Sequence, residues 1–507
     1  MTRNSSAGEG GVHSLRELLH GIATWPDDDL FVDDITLDSR AVRAGSVFFA
    51  LPGMRSHGVA FAAQAVTNNA VAILWEPAPS IDSPPSLANT RSLAVPNLSR
   101  HIGAIADKFF GTPSAQLTIA GVTGTNGKTT SAFLIPAALG MLRQRAGFAG
   151  TLGYGAIDAL QSSAHTTADC ITVHRQLAAM RSERQTHVGM EVSSHALDQG
   201  RIDGVRMHTA LFTNLTRDHL DYHGTIAAYG AAKEQLFYRE GLQHAVVNVG
   251  DPFGRSLAER LLARAVRPKL TTYSVDRCDA SGDAYLYATR IERAAHGLVI
   301  DIDGSWGPIQ LHSRLIGLFN VENLLGVLAV LLGWEIPLVQ AAHALEQCYA
   351  PPGRMETIAL ADRPTVVVDY AHSPDALSKA LQTAREHCAG RLICVFGCGG
   401  ERDAGKRPMM AAIAAQYADV VIVTDDNPRM EDPSSIVADI LRGLPAPHSA
   451  IVERDRGLAI THALQIAKPS DLVLIAGKGH EDYQIIKRER LHFSDREVAQ
   501  RLLERAT

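Results

Sequence analysis

Residues 117–130 read Leu-Thr-Ile-Ala-Gly-Val-Thr-Gly-Thr-Asn-Gly-Lys-Thr-Thr. A short apolar, β-branched run breaks into a glycine-rich turn and ends in a Lys-Thr pair. Ser131, Ala132, Phe133 and Leu134 follow as a predicted helix start. Strand, glycine turn and helix in that order are the layout of a phosphate-binding loop. Glycines let backbone N–H groups converge on phosphate oxygens, and the helix N-terminus adds its partial positive charge. Lys128 contributes a point charge and Thr129 a hydroxyl for Mg²⁺, so a nucleoside triphosphate is the expected energy source. The common loop places four residues between its first glycine and Gly-Lys, whereas Gly121 and Gly127 enclose five, Gly124 among them. A plain glycine turn accounts for Gly121 or Gly124 alone, but not for the Lys-Thr-Thr that opens a helix.

Working outward, the 507 residues imply roughly three domains of about 150 residues each. Hydrophobic content of 46% and charged content of 20% are ordinary for a soluble globular protein. The net charge of −6, with no long basic block, gives no reason to expect a nucleic-acid or membrane-surface partner. The six cysteines (Cys170, Cys278, Cys348, Cys388, Cys394, Cys398) lack metal-ligand spacing and read as reduced thiols of a cytoplasmic protein. The first dozen residues are polar and Ser/Gly-rich, so they are expected to be frayed. The longest apolar stretch, 323–334, has the length of a buried helix and is too short for a membrane span.

Residues 1–100 alternate strand-like runs (46–51, 70–75, 92–95) with helical patterns, and the Pro/Ser-rich segment 77–86 reads as a surface loop. From Thr118 onward, strand-then-helix units recur at 118–122, 186–191, 209–213 and 245–248, which predicts a mostly parallel sheet covered on both faces. Helices are expected at 320–332 and 339–348, and Pro351-Pro352-Gly353 breaks the chain before another β–α series at 365–369, 391–396, 419–424 and 471–475. The glycines at 397, 399 and 400 follow a strand without dinucleotide spacing, so that turn is expected to face a ligand other than a nicotinamide cofactor. The fold class is therefore α/β. Residues 1–100 form a small N-terminal domain, 101–350 a central P-loop domain, and 351–507 a C-terminal Rossmann-like domain.

Further segments carry chemistry. Met190-Glu191-Val192-Ser193-Ser194-His195 follows a strand end, where Glu191 either ligates the Mg²⁺ that Thr129 touches or caps the next helix. Thr213-Asn214-Leu215-Thr216-Arg217-Asp218-His219-Leu220-Asp221-Tyr222-His223-Gly224 is denser in polar groups than an ordinary solvated loop. Lys233 lies on an amphipathic helix, and composition alone favours a solvent-facing, ion-paired lysine. In the last segment, Asp425-Asp426-Asn427-Pro428-Arg429 and Gly477-Lys478-Gly479-His480-Glu481 follow strands. Arg402 and Arg429 suit a carboxylate and Glu481 an ammonium group, although Asn-Pro can also be a plain turn.

Jointly, Thr-Gly-Thr-Asn-Gly-Lys-Thr-Thr, Glu-Val-Ser-Ser-His, Arg-Asp-His-Leu-Asp-Tyr-His-Gly, Pro-Gly-Arg-Met-Glu and Val-Asp-Tyr-Ala-His-Ser-Pro-Asp-Ala-Leu resemble the Mur ligase family. The resemblance runs from Leu37-Asp38-Ser39-Arg40 to Gln484. It implies an ATP- and Mg²⁺-dependent enzyme that phosphorylates a carboxylate of a UDP-sugar peptide and joins an amino acid to it. By position, Gly124, Thr125, Asn126, Gly127, Lys128, Thr129 and Thr130, with Asn320, Arg354 and Asp369, would bind ATP. Leu37, Ser39, Met54, Arg55 and Ser56 would meet the uridine nucleotide. His165, Thr166, Thr167, Ser193, Gln199 and Arg201 would hold the muramoyl dipeptide, with His165 standing where asparagine occurs among relatives. Thr129, Glu191 and His219 would serve the metals. Lys128, His219 and Lys233 would be catalytic, Lys233 as an N6-carboxylysine that supplies an anionic metal ligand. The loop Asp426-Asn427-Pro428-Arg429, with Arg402, Gly477 and Glu481, resembles members that add meso-diaminopimelate to UDP-MurNAc-L-Ala-D-Glu. Leu318 stands where an arginine is frequent. A folylpolyglutamate synthetase and a partner-binding switch ATPase are the competing readings. A cytoplasmic monomer without nucleic-acid or membrane partners is expected.

Overall fold

The computed structural model describes residues 12–53, 56–79, 81, 90–163, 165–277, 282–294, 297–446 and 450–505. Met54, Arg55, Cys278, the first eleven of the dozen N-terminal residues and most of the 77–86 connector lie outside the described residues. The chain forms two compact units, Met1–Thr272 and Tyr273–Thr507.

In the first unit, strands Asp34–Thr36, Ser46–Ala50, Ala72–Trp75 and Arg91–Ala94 form a parallel sheet in that order. The P-loop strand Thr118–Thr123 sits centrally in a second sheet, between His187–Glu191 and Thr209–Phe212, to both of which it is parallel. His244–Asn248 continues the sheet on one side and Ala146–Gly150 on the other, where an antiparallel turn leads to Gly153–Ala156. Central strands buried on both faces explain the continuous β-branched runs of the sequence. Thr123, Glu191 and Thr213 thus lie at the carboxyl ends of adjacent parallel strands, where open α/β sheets bind ligands.

In the second unit, Ala284–Ala294, Gly297–Gly304 and Ile309–Ser313 make an antiparallel meander, which the expected β–α repetition did not anticipate. The helix Phe319–Gly333 is buried along nearly its whole length, as its apolar run implies. A six-stranded sheet follows, parallel except for its edge strand Glu356–Ile358. Along Thr365–Asp369, Val367 enters one core while Val366 and Val368 enter the other, the period-two alternation of a doubly covered strand. Among the described residues, the cysteines are free, and no helix is long and apolar enough to cross a membrane.

Candidate active site

The P-loop turn is glycine-dependent at two points. Gly124 has φ +153°, and a Cβ there would lie 1.8 Å from Thr213 Oγ1. Gly127, at φ +82°, precedes the helix Lys128–Met141, whose N-terminus has no side-chain cap and points its partial positive charge at the turn. The polar cluster after Phe212 pins this turn. Thr125 N–H donates to the Asn214 carbonyl (2.8 Å), Asn126 N–H to Asn214 Oδ1 (3.0 Å) and Thr213 Oγ1 to the Asn126 carbonyl (2.6 Å).

Glu191 is 1% exposed and does not cap the next helix, a role taken by Ser193. Its carboxylate accepts from Thr129 Oγ1 at 2.9 Å and from the Thr151 amide at 2.8 Å. Thr151 also touches Thr166, with 3.0 Å between the hydroxyl oxygens. Thr167 Oγ1 donates to the Glu191 carbonyl (2.9 Å), Arg201 to the Thr167 carbonyl (2.9 Å) and to Gln199 Oε1 (2.7 Å). The expected dipeptide residues Thr166, Thr167, Ser193, Gln199 and Arg201 are therefore one network built onto the P-loop carboxylate. His165 lies elsewhere, on a cavity of about 520 Å³ lined also by Asp38, Arg40 and Arg175. Ser39 is buried and donates to Gln64 Oε1 (2.7 Å), Leu37 packs, partly buried, on the cluster that includes Ile35 and Val47, and Ser56 is exposed.

Composition pointed Lys233 toward solvent, and the structure overturns that. The side chain is 1% exposed, Nζ donates to the Gly124 carbonyl at 2.6 Å, and it stands 4.3 Å from the centre of the Tyr229 ring. The helical periodicity that places apolar residues inward carries Lys233 with them. Burial, reinforced by the Lys128 charge, pulls its pKa down to about 6. Lys128 Nζ donates to the carbonyls of Gly124 (2.9 Å) and Thr125 (2.8 Å). His219, exposed at φ +51°, stacks edge-on against His195 and lies 5.9 Å from the Tyr229 ring. Among the described residues no three His, Cys, Asp or Glu side chains converge as a ready metal cluster.

In the second unit, Asn320 is buried with its amide bonded to the Ile316 carbonyl (2.8 Å) and to Asn323 (2.9 Å). Asp369 accepts from Met355 N–H at 2.8 Å, and burial raises its pKa. Arg354 Nε and His480 Nδ1 are buried beside the Tyr370 ring without a hydrogen-bond partner among the described residues. Burial, then the Arg354 charge, push His480 down to about 4. Gly353, at φ +64°, is required because a Cβ would lie 2.1 Å from the Gly479 carbonyl carbon.

The two loops proposed for the amino acid are joined by a residue that the sequence reading gave no role. Lys478 is fully buried and donates to Asp426 Oδ1 (3.2 Å) and Asn427 Oδ1 (3.0 Å), with Glu481 Oε2 at 3.7 Å. Glu481 thus already faces one ammonium group and accepts from Asn427 Nδ2 at 3.0 Å. Asn427-Pro428 is no plain turn, since its side chain also receives Ile485 N–H (2.9 Å). Arg429 NH1 donates to the Gly400 carbonyl (2.9 Å), while Arg402 is exposed; the two flank Gly399. Gly477 is buried at φ +122°.

These features define a P-loop protein that brings a phosphate-binding turn, a buried carboxylate and a buried lysine together at the carboxyl ends of central parallel strands. Family models match three segments: the Mur ligase family catalytic domain at 32–110, the Mur ligase middle domain at 122–331 and the glutamate ligase domain at 353–479. The chain is 48% identical over 97% of both chains to UDP-N-acetylmuramoyl-L-alanyl-D-glutamate–2,6-diaminopimelate ligase of Xanthomonas oryzae pv. oryzae. The Pseudomonas aeruginosa protein of that name is 46% identical over 94% of this chain and 96% of its own. A solved structure of a ligase with that name superposes with a TM-score of 0.71 at 34% identity, covering 98% of this chain and 99% of its own. The chain belongs to the Mur ligase family.

Proposed function

We propose that the chain is an ATP-dependent ligase that joins meso-diaminopimelate to the D-glutamyl carboxylate of UDP-MurNAc-L-Ala-D-Glu in cytoplasmic peptidoglycan precursor synthesis. The observation that carries this reading is Lys233, buried, held near neutrality and seated on the P-loop carbonyl that Lys128 also binds. A neutral amine is what reaction with CO₂ to an N6-carboxylysine requires, so the residue present fits that group. Thr129 and Glu191, hydrogen-bonded as a pair, with His219 and the carboxylated Lys233, are the residues that would hold Mg²⁺. Bound Mg²⁺ would neutralise the charge of the triphosphate.

The chain's own residues account for the rest. The capless helix end and Lys128 would hold the ATP phosphates. Asn320, Arg354 and Asp369 are the proposed contacts to base, phosphate and ribose, and the orphaned Arg354 Nε suits an anionic ligand. Thr166, Thr167, Ser193, Gln199 and Arg201 would present the dipeptide carboxylate, with Leu37, Ser39, Met54, Arg55, Ser56 and His165 along the sugar nucleotide. The carboxylate oxygen attacks the γ-phosphorus and ADP leaves. The amino-acid nitrogen then attacks the acyl carbon, and phosphate leaves with the original carboxylate oxygen. Positioning and charge supply most of the acceleration. Arg429 and Arg402 would meet the second carboxylate of diaminopimelate, while Asp426, Asn427, Pro428, Gly477 and Glu481 shape its pocket. Three domains, 1–100, 101–350 and 351–507, and a monomeric working unit complete the proposal.

ADP formation is measured with UDP-MurNAc-L-Ala-D-Glu and a panel of amino acids. Turnover is expected with meso-diaminopimelate and to be weak with L-lysine, with carboxyl ¹⁸O appearing in phosphate. Rapid hydrolysis with neither co-substrate, or no isotope transfer, would reject the proposal in favour of a switch ATPase.

A further inference from the structure

Glu191 is held from two directions, and only the Thr129 side belongs to the P-loop. On the other side stands Thr151, in the turn between strands Ala146–Gly150 and Gly153–Ala156. Its amide donates to Glu191 Oε1 at 2.8 Å and its hydroxyl to Oε2 at 3.3 Å. The preceding residue leaves room for this, because a Cβ on Gly150 would lie 2.3 Å from Glu191 Oε1. The turn is thus shaped around the carboxylate.

A buried carboxylate needs such donors, and the hydroxyls around it have a definite order. Thr129 donates its proton to Glu191 and keeps its lone pairs for a cation. Thr151 gives its one hydroxyl proton to Glu191 from the far side, so its oxygen accepts from Thr166 Oγ1, 3.0 Å away. The relay Thr166–Thr151–Glu191 starts at the residue before Thr167 and ends at the carboxylate that the P-loop hydroxyl of Thr129 also meets. Each donor in such a chain polarises the next.

We infer that Thr151 is a positioning residue for the metal-binding carboxylate, its hydroxyl fixing the Glu191 rotamer that Thr129 shares and tying it to Thr166. The inference rests on the proposed Mg²⁺ role of Glu191 and is independent of which sugar substrate or amino acid is used. Thr151→Val keeps shape and amide but removes the hydroxyl; Thr151→Ser restores it. The probe is ADP alone, its binding measured by calorimetry across a Mg²⁺ titration. Losing one outer hydrogen bond to a metal ligand should raise the half-saturating Mg²⁺ concentration about tenfold in Thr151→Val, with Thr151→Ser near wild type. The melting temperature of each variant shows that it is folded at the temperature of the titration. A Thr151→Val titration that overlays wild type, or a serine variant as impaired as valine, would overturn the inference. Should the valine variant fold poorly, Thr151→Ala is titrated under the same two criteria. Because no turnover is required, failure of the amino-acid panel would refute the ligase reading and leave this result standing.

Discussion

The ammonium groups of Lys128 and Lys233 converge on a single backbone oxygen, that of Gly124, at 2.9 and 2.6 Å. Burial, reinforced by the Lys128 charge beside it, disfavours a proton on Lys233: it titrates at about 6, far below the ordinary 10.5. In metal-free, CO₂-depleted buffer the folded chain therefore loses this proton near pH 6, while the unfolded chain keeps it to about 10.5. Across that window the unfolded state binds more protons, so stability rises with pH. The unfolding free energy of wild type minus that of Lys233→Met should accordingly rise from pH 6 to pH 9. A flat difference profile would contradict the neutral-amine assignment.

Loss of the side chain should also be visible in turnover. Lys233→Ala is expected to lower kcat by at least about 100-fold, since it removes the proposed anionic ligand, and small carboxylates such as acetate should restore part of it. Full activity without additive would rule out the role.

Thr129→Ala removes the hydroxyl 2.9 Å from Glu191. The buried carboxylate then lacks a donor and the cation a ligand. The Mg²⁺ concentration for half-maximal activity should rise by about tenfold or more. An unaltered metal titration would argue that Thr129 binds only the carboxylate.

How much of this was legible beforehand follows from the kind of signal each residue leaves. Most parallel strands were readable to within about two residues, because doubly buried strands leave continuous β-branched runs. The meander at 284–313 was not, since Tyr, Arg, Glu and Asp alternate there with apolar residues on half-exposed strands. The P-loop was legible because its backbone conformation demands glycines at fixed places. Lys233 was misread from composition because burial of a single lysine depends on what packs over it. Thr151 and Lys478 escaped notice for a related reason: the partner that gives each its role, Glu191 for one and Asp426 for the other, lies 40 and 52 positions away in the sequence.

Arg429 holds left-handed backbone, φ +53°, locked by its own amide on the Ile485 carbonyl (3.0 Å), so its side chain leaves the loop in a fixed direction. NH1 is taken by the Gly400 carbonyl, while Arg402 stands exposed beside Gly399. If this guanidinium meets the distal carboxylate, Arg429→Ala should raise KM for diaminopimelate by about 10- to 100-fold, the cost of an unpaired charge-assisted contact. KM for ATP should stay within about twofold. Equal effects on both substrates would point to loop collapse instead of specificity.

Arg456 and Asp495 form a two-pronged ion pair, both bonds 2.7 Å and both side chains fully buried. The same guanidinium donates to the Ala476 carbonyl at 3.0 Å, immediately before Gly477. Desolvation of each charge is offset only while its partner remains. Arg456→Met or Asp495→Leu alone should therefore cost about 3–5 kcal/mol in denaturant unfolding, whereas the double variant, with no buried charge left over, should lose less than either single one. Additive losses would mean that the two side chains act separately. The Ala476 bond adds a second expectation. The stability-recovered double variant should still show a raised KM for diaminopimelate, because the carbonyl that sets the Gly477 turn has lost its donor.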